Sequence, residues 1–143
     1  ECASDGLWVS GRACESLPEV LQTGCYPDFP TDMQSPFMVV MTISGYGGRI
    51  EENVFENRFR IVPELIRMGA DISVRGNTAY INGHRKLHGA IVQAKELRGG
   101  AALVIASLAA EGTSIVTNRH YIDRGYEDIV FRLRELGAAI ELA

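Results

Sequence analysis

Four charged side chains at the starts of apolar segments carry the chemistry that this sequence suggests. Asp32 stands in Pro30-Thr31-Asp32-Met33-Gln34, just before the apolar run Phe37-Met38-Val39-Val40-Met41. Thr31, with Gln34 three residues later, has the form of a capping box, so a helix is expected to begin there with Asp32 in its first turn. A carboxylate in that place meets unpaired backbone N–H groups and the positive end of the helix dipole, which keeps it ionised and ready to accept a proton near neutral pH. The other three side chains are Arg58, Arg98 and Arg124, each read as opening a helix. Arginine opposes the dipole there by about 0.3–1 kcal/mol, and a bound anion supplies a reason, because helix N-termini and guanidinium forks both hold phosphate or carboxylate. Gly99 and Gly100, directly after Arg98, would let such a ligand approach the backbone and complete a cradle.

Ordinary readings stand beside these. An aspartate in a first helical turn most often only caps or solvates the helix. Surface pairing would account for Arg58 with Glu56 or Glu64, and for Arg124 with Glu127 or Asp128; Gly99-Gly100 would equally ease helix packing. His84, His88 and His120 lack metal-ligand spacing and read as solvated, so no metal site is expected. Cys25 is close to Asp32 in sequence but has no neighbouring cation to activate it, and reads as a loop residue rather than a nucleophile. Trp8 and Tyr80 read as core positions.

An internal repeat ties the four charges together. Asp5-Gly6-Leu7-Trp8-Val9-Ser10-Gly11 parallels Asn77-Thr78-Ala79-Tyr80-Ile81-Asn82-Gly83, each an alternating strand closed by glycine. Strand signals follow at 20–23 and 90–94, apolar helices at 32–44 and 98–110, strands at 49–54 and 113–117, and second helices opened by Asn57-Arg58 and Asp123-Arg124. Each unit then closes through a glycine C-cap, Met68-Gly69-Ala70-Asp71-Ile72 and Leu136-Gly137-Ala138-Ala139-Ile140, into a last strand. The expected fold is α/β, two β-β-α-β-α-β units at 5–74 and 77–142. Laying one unit on the other puts Asp32 opposite Arg98 and Arg58 opposite Arg124. The run 101–110 is apolar on every side and belongs inside. The second helix keeps a wet face, with Ile129, Val130, Leu133 and Leu136 set against Glu127, Asp128, Arg132, Arg134 and Glu135. Two units would leave the inner helices partly uncovered, so a third copy is expected.

Bulk properties set limits. With 143 residues, 46% apolar and 22% charged, the chain can build one folded, soluble domain. A net charge of −4, mixed along the sequence, implies no basic face for nucleic acid or a membrane surface. Cys2, Cys14 and Cys25 fit neither a disulfide framework nor a metal site and suit a reducing cytosol. No apolar run nears the roughly 18 residues of a membrane span, and no signal peptide opens the chain. Glu1-Cys2-Ala3 reads as the end of a strand already under way, so a piece of a longer protein is expected.

Five motifs, in order, resemble the bacterial UDP-N-acetylglucosamine enolpyruvyl transferases. They are Pro27-Asp28-Phe29-Pro30-Thr31-Asp32-Met33-Gln34, Val54-Phe55-Glu56-Asn57-Arg58-Phe59, Met68-Gly69-Ala70-Asp71, Glu96-Leu97-Arg98-Gly99-Gly100-Ala101-Ala102-Leu103-Val104 and Ile122-Asp123-Arg124-Gly125-Tyr126-Glu127. The resemblance implies an inside-out α/β barrel of three units per domain, with this chain the C-terminal two units of one domain. It implies transfer of the enolpyruvyl group of phosphoenolpyruvate to the 3-hydroxyl of UDP-N-acetylglucosamine, by addition and then elimination of phosphate, at the opening of peptidoglycan synthesis, in the cytoplasm and with no cofactor. By its match to the family motif Asp32 would be the general base on the sugar hydroxyl. Val54 would contact the UDP-sugar through the backbone, with Phe55 near the sugar. Arg98 and Arg124 would engage phosphoenolpyruvate and Arg58 the same anions, neutralising charge as phosphate leaves. The family's catalytic cysteine loop and phosphoenolpyruvate lysine belong to the missing N-terminal lobe. The fragment alone is therefore expected to be silent, and Cys25 does not inherit the cysteine's role.

The chain departs from the family pattern at Cys25, at His120-Tyr121, whose order is reversed, and at Pro36, expected to remove one helical hydrogen bond. Two other readings are an enolpyruvylshikimate phosphate synthase, which shares fold and reaction, and a non-catalytic lobe that keeps the sugar-nucleotide contacts.

Overall fold

A computed structural model describes residues 2–3, 6–7, 16–83 and 86–143. The expected first strand is described only at Gly6–Leu7 (β2), paired antiparallel with Cys2–Ala3 (β1); Trp8, Cys14 and His84 lie outside the described residues. Two parallel crossovers form the frame. In the first, Val20–Gln22 (β3) leads through helix Gln34–Ile43 (α1) to Gly48–Glu51 (β4), with Leu21 beside Ile50. In the second, Ile91–Gln93 (β7) leads through helix Leu97–Ala109 (α3) to Ile115–Thr117 (β8), with Val92 beside Val116. Parallel neighbours require a crossover of this kind, and an apolar helix covers the sheet as it returns. After β4, a 3-10 turn at Arg58–Ile61 runs into helix Val62–Arg67 (α2). Asp71–Arg75 (β5) and Thr78–Asn82 (β6) then make an antiparallel hairpin, and β6 docks against β4, giving the order β3-β4-β6-β5.

Met38, Val39 and Met41 of α1, Ile50 of β4, Leu65 of α2, Val92 of β7 and Leu103 of α3 fill one core beneath these strands. Burying one such side chain contributes roughly 1.5–3 kcal/mol, so this layer, rather than surface charge, holds the frame. α1 and α3 pack on each other, yet Val40 and Ile43 of α1 and Ile105 and Leu108 of α3 stay exposed, as expected for inner helices with one side uncovered. A second, smaller cluster of Ala94, Val104 and Ile122 lies under His120–Asp123 (α4) and Ile129–Glu135 (α5). Ile129 and Leu133 face it, but Leu136, counted on the dry face from sequence, is exposed.

Several expectations change in detail. The capping box does not form: Thr31 gives its hydroxyl to Glu52 and Gln34 accepts from Ser35, while a 3-10 turn, Thr31–Met33, precedes α1. Pro36 therefore falls in the first turn of α1, where helix N–H groups lack intrahelical partners, and it removes no bond. No second helix opens at Asp123-Arg124; α4 ends there, and α5 starts only after Asp128, whose φ of 48° breaks the run. The strand expected near Ile140 is not formed, because β5 owes its ladder to β6 and residues 138–143 have no such neighbour among the described residues. Tyr80 is not core. It is exposed on β6, with the Arg75 guanidinium 5.8 Å from its ring centre.

Candidate active site

Three of the four charges meet. Asp32 leaves the 3-10 turn that follows Pro30, held extended before the turn. Arg58 opens its own 3-10 turn, aimed by Asn57 in the left-handed region at φ 56°. Arg98 is the second residue of α3, whose N-cap is Glu96. Asp32 Oδ1 accepts Nη2 of Arg58 at 3.0 Å and Asp32 Oδ2 accepts Nη2 of Arg98 at 2.8 Å. The Arg98 hydrogen bond, then the charges of both arginines, hold the Asp32 carboxyl below its usual value despite some burial. Guanidinium groups favour the anion here, in place of the helix-start N–H groups expected from sequence. Neither surface pairing considered for Arg58 occurs, since Glu64 pairs with Lys95 and Arg67, and Glu56 pairs with nothing among the described residues.

Aromatic rings frame the two arginines. The Phe55 ring centre lies 5.4 Å from the Arg58 guanidinium carbon, and that of Tyr126 lies 5.8 Å from the Arg98 carbon, within cation–π range. Glu96 Oε2 stands 4.0 Å from Nη1 of Arg58, while Arg58 Nε is buried without a partner among the described residues, so its fork is not saturated by them. Arg124 is apart from this group. It is exposed at the C-terminal end of α4, where the helix dipole favours a cation, and it makes no ion pair among the described residues. Two residues on, Tyr126 returns to Arg98.

The glycine cradle is overturned. The Glu96 carboxylate accepts the N–H groups of Arg98 and Gly99, so the start of α3 is already capped. A Cβ on Gly100 would stand 2.7 Å from Ile122 Cγ1, so that glycine serves packing between α3 and α4. Val54 and Phe55 are exposed in an open groove of about 1600 Å³ that Glu52, Arg58, Asn77 and Glu96 also line; Asp32 and Arg98 stand outside its wall. Cys25 is exposed and free, and His88 and His120 are exposed.

Sequence reasoning passed over Glu52, Glu96 and Tyr126. Glu52 had a readable signal: it follows Ile50 at the strand period of two, on the buried face, where a lone carboxylate calls for partners. Glu96 had another, an acid just ahead of an apolar run, which suits an N-cap better than does the basic Arg98. Tyr126 had none, because its contact with Arg98 depends on how the chain turns after α4.

A proton acceptor clamped by two cations is a weak base, and two cations neutralised by a carboxylate are a weak anion site. An incoming anion that takes the arginines reverses both at once, releasing Asp32 next to whatever the anion is attached to. The arrangement thus suits acid–base chemistry on a substrate that carries, or binds beside, phosphate or carboxylate.

Similar chains include the UDP-N-acetylglucosamine 1-carboxyvinyltransferase of Anaplasma marginale, 48% identical over 138 residues, covering 96% of this chain and 32% of that protein. That of Aeromonas hydrophila is 49% identical over 135 residues, covering 94% and 32%. That of Shewanella frigidimarina is 52% identical over 120 residues, covering 84% and 29%. The chain thus spans about a third of the length of these relatives. Among solved structures, the enolpyruvyl transferase NikO of Streptomyces tendae superposes with a TM-score of 0.78 at 31% identity, over 85% of this chain and 28% of that one. The family model for EPSP synthase (3-phosphoshikimate 1-carboxyvinyltransferase) matches residues 3–133. With that match running from β1 into α5 and the same mixed α/β frame in a solved enolpyruvyl transferase, this chain belongs to the EPSP synthase family.

Proposed function

We propose that the protein containing this chain transfers the enolpyruvyl group of phosphoenolpyruvate to the 3-hydroxyl of UDP-N-acetylglucosamine, in the cytoplasm, as a committed step toward peptidoglycan. The observation that carries this reading is the meeting of Asp32 with Arg58 and Arg98, in a family whose members at 48–52% identity bear that name. Asp32 takes the hydroxyl proton as the oxygen bonds to the central carbon of the enolpyruvyl group, while a general acid from outside this chain gives a proton to the methylene carbon. The tetrahedral phospho-ketal then returns a methyl proton to that group and loses phosphate, which takes up the hydroxyl proton held by Asp32. Arg98 and Arg58 hold the anions throughout, and Arg124, which makes no ion pair among the described residues at the end of α4, joins them when the two halves of the site close. Val54 supplies backbone contacts to the sugar nucleotide, with Phe55 beside the sugar. The chain contributes one half of the site within a domain of repeated units, and a further lobe supplies the rest.

The experiment is phosphate release by the full-length protein from phosphoenolpyruvate and UDP-N-acetylglucosamine, with the isolated 143-residue chain as a control. The full protein turns over; the isolated chain releases no phosphate. The description of the matching family favours a second reading, with shikimate 3-phosphate as acceptor. If shikimate 3-phosphate supports turnover and the sugar nucleotide does not, that second reading replaces the first.

A further inference from the structure

Glu52 is 4% exposed, and none of the roles above uses it. A carboxylate at that depth is costly unless its oxygens are bonded, and here three donors satisfy it. Oε1 accepts the backbone N–H of Val54 at 2.9 Å and of Phe55 at 3.0 Å. Oε2 accepts the hydroxyl of Thr31 at 3.0 Å. These donors belong to two different parts of the proposed site, the turn after β4 that faces the groove and the turn that presents Asp32. Glu52 is itself fixed, since its N–H donates to the Asn77 carbonyl at 2.8 Å and the next residue, Asn53, donates to the Thr23 hydroxyl at 3.0 Å.

We propose that Glu52 is a positioning residue that sets the distance between the proton acceptor Asp32 and the nucleotide-binding backbone at Val54. The inference rests on the proposed function. A ligand gripped at Val54 must place one hydroxyl within hydrogen-bond reach of Asp32, and the two anchors belong to separate turns that the Glu52 carboxylate bonds directly. Letting them drift by about 1 Å misaligns the reacting oxygen and costs up to about a hundredfold in rate. The hydrogen bonds matter here and the charge does not. A glutamine would accept the Val54 and Phe55 N–H groups with its carbonyl and donate its amide to Thr31 Oγ, whose hydroxyl can turn to accept.

The test is steady-state kinetics of the full-length protein with phosphoenolpyruvate and UDP-N-acetylglucosamine, with thermal melting to establish the folded fraction. Glu52→Gln keeps both constants within about threefold. Thr31→Val, which removes only the tie to the Asp32 turn, lowers kcat about tenfold with KM for the sugar nucleotide nearly unchanged. Glu52→Ala lowers kcat and raises that KM, each by about tenfold or more. Should Glu52→Ala fail to fold, the other two variants decide. Unchanged constants in folded Thr31→Val, or a Glu52→Gln as damaged as Glu52→Ala, overturn the positioning role while the function stands. A wild-type protein that forms no phosphate from these substrates overturns the function and this inference with it.

Discussion

Asp32 Oδ2 lies 2.8 Å from Nη2 of Arg98, although 66 positions separate the two in sequence. This contact is the largest influence on the Asp32 carboxyl, ahead of Arg58. Because the folded-state value is depressed, the contact contributes stability above the ordinary aspartate value near 3.9 and loses it as pH falls through the folded value. Asp32 is more than half exposed, so that contribution is small; the change in basicity is the larger effect. Arg98→Gln therefore moves the Asp32 titration upward toward the ordinary carboxylate range, read by carbon NMR of labelled aspartate in the full-length protein. A titration that stays put would mean that Arg58 alone holds the anion.

On the proposed function, Asp32 occupies the place an anionic substrate would take between Arg58 and Arg98. Asp32→Asn removes the internal competitor as well as the proton acceptor, so affinity and turnover should move in opposite directions. Binding of phosphoenolpyruvate to the full-length variant tightens severalfold, measured by calorimetry, while kcat falls by about 10²–10⁴, the range general-base catalysis supplies. Loss of both together would indicate that Asp32 orders the site rather than serving as its base.

Much of this arrangement was legible in the sequence. The apolar runs 37–41 and 101–110 and the short strands at 20–23 and 90–94 located the inner helices and the strands before them, because period and composition report burial directly; that these strands pair in parallel crossovers came only with the fold. Once the two crossovers stand side by side, Asp32 and Arg98 occupy matching helix starts, and their meeting follows. Arg124 misled because Asp123 reads equally well as a cap opening a helix and as the end of one. The decision rested on Asp128, which adopts φ 48° without being glycine. The Thr31–Gln34 capping box misled for another reason: the Thr31 hydroxyl donates to the buried Glu52 carboxylate instead of accepting a local N–H, and no local pattern reveals that acceptor.

Glu64 on α2 joins the first crossover to the second. Its carboxylate accepts Lys95 Nζ at 2.8 Å and the Gln93 N–H at 3.2 Å, with Arg67 Nε at 3.6 Å. Burial pushes its carboxyl up, but Lys95 and the Gln93 N–H outweigh that and leave it below the usual range. The group therefore stabilises the fold above the ordinary glutamate value near 4.3, and the stability is lost as pH falls through the folded value. Lys95→Ala leaves a buried charge with weaker partners and should cost about 1.5–3 kcal/mol in urea denaturation near pH 7. The loss should shrink at pH 4, where protonation relieves the carboxylate. A cost independent of pH would assign it to the packing of the Lys95 stem instead.

Gly100 separates packing from ligand binding as the reason for two glycines after Arg98. Inside α3, replacing glycine by alanine gains about 1 kcal/mol of helix propensity. The new methyl, however, would stand 2.7 Å from Ile122 Cγ1 and 3.0 Å from Ala94 Cβ, both in the closed cluster under α4. Overpacking of that kind costs roughly 1–3 kcal/mol, which outweighs the propensity gain. Gly100→Ala should thus lower the unfolding free energy of the full-length protein, read from urea denaturation, by a net of about 1 kcal/mol, while phosphate affinity in the folded variant stays within about twofold of the wild type. The reverse result, intact stability with lost phosphate binding, would restore the backbone cradle and would require the Glu96 cap to swing away when an anion arrives.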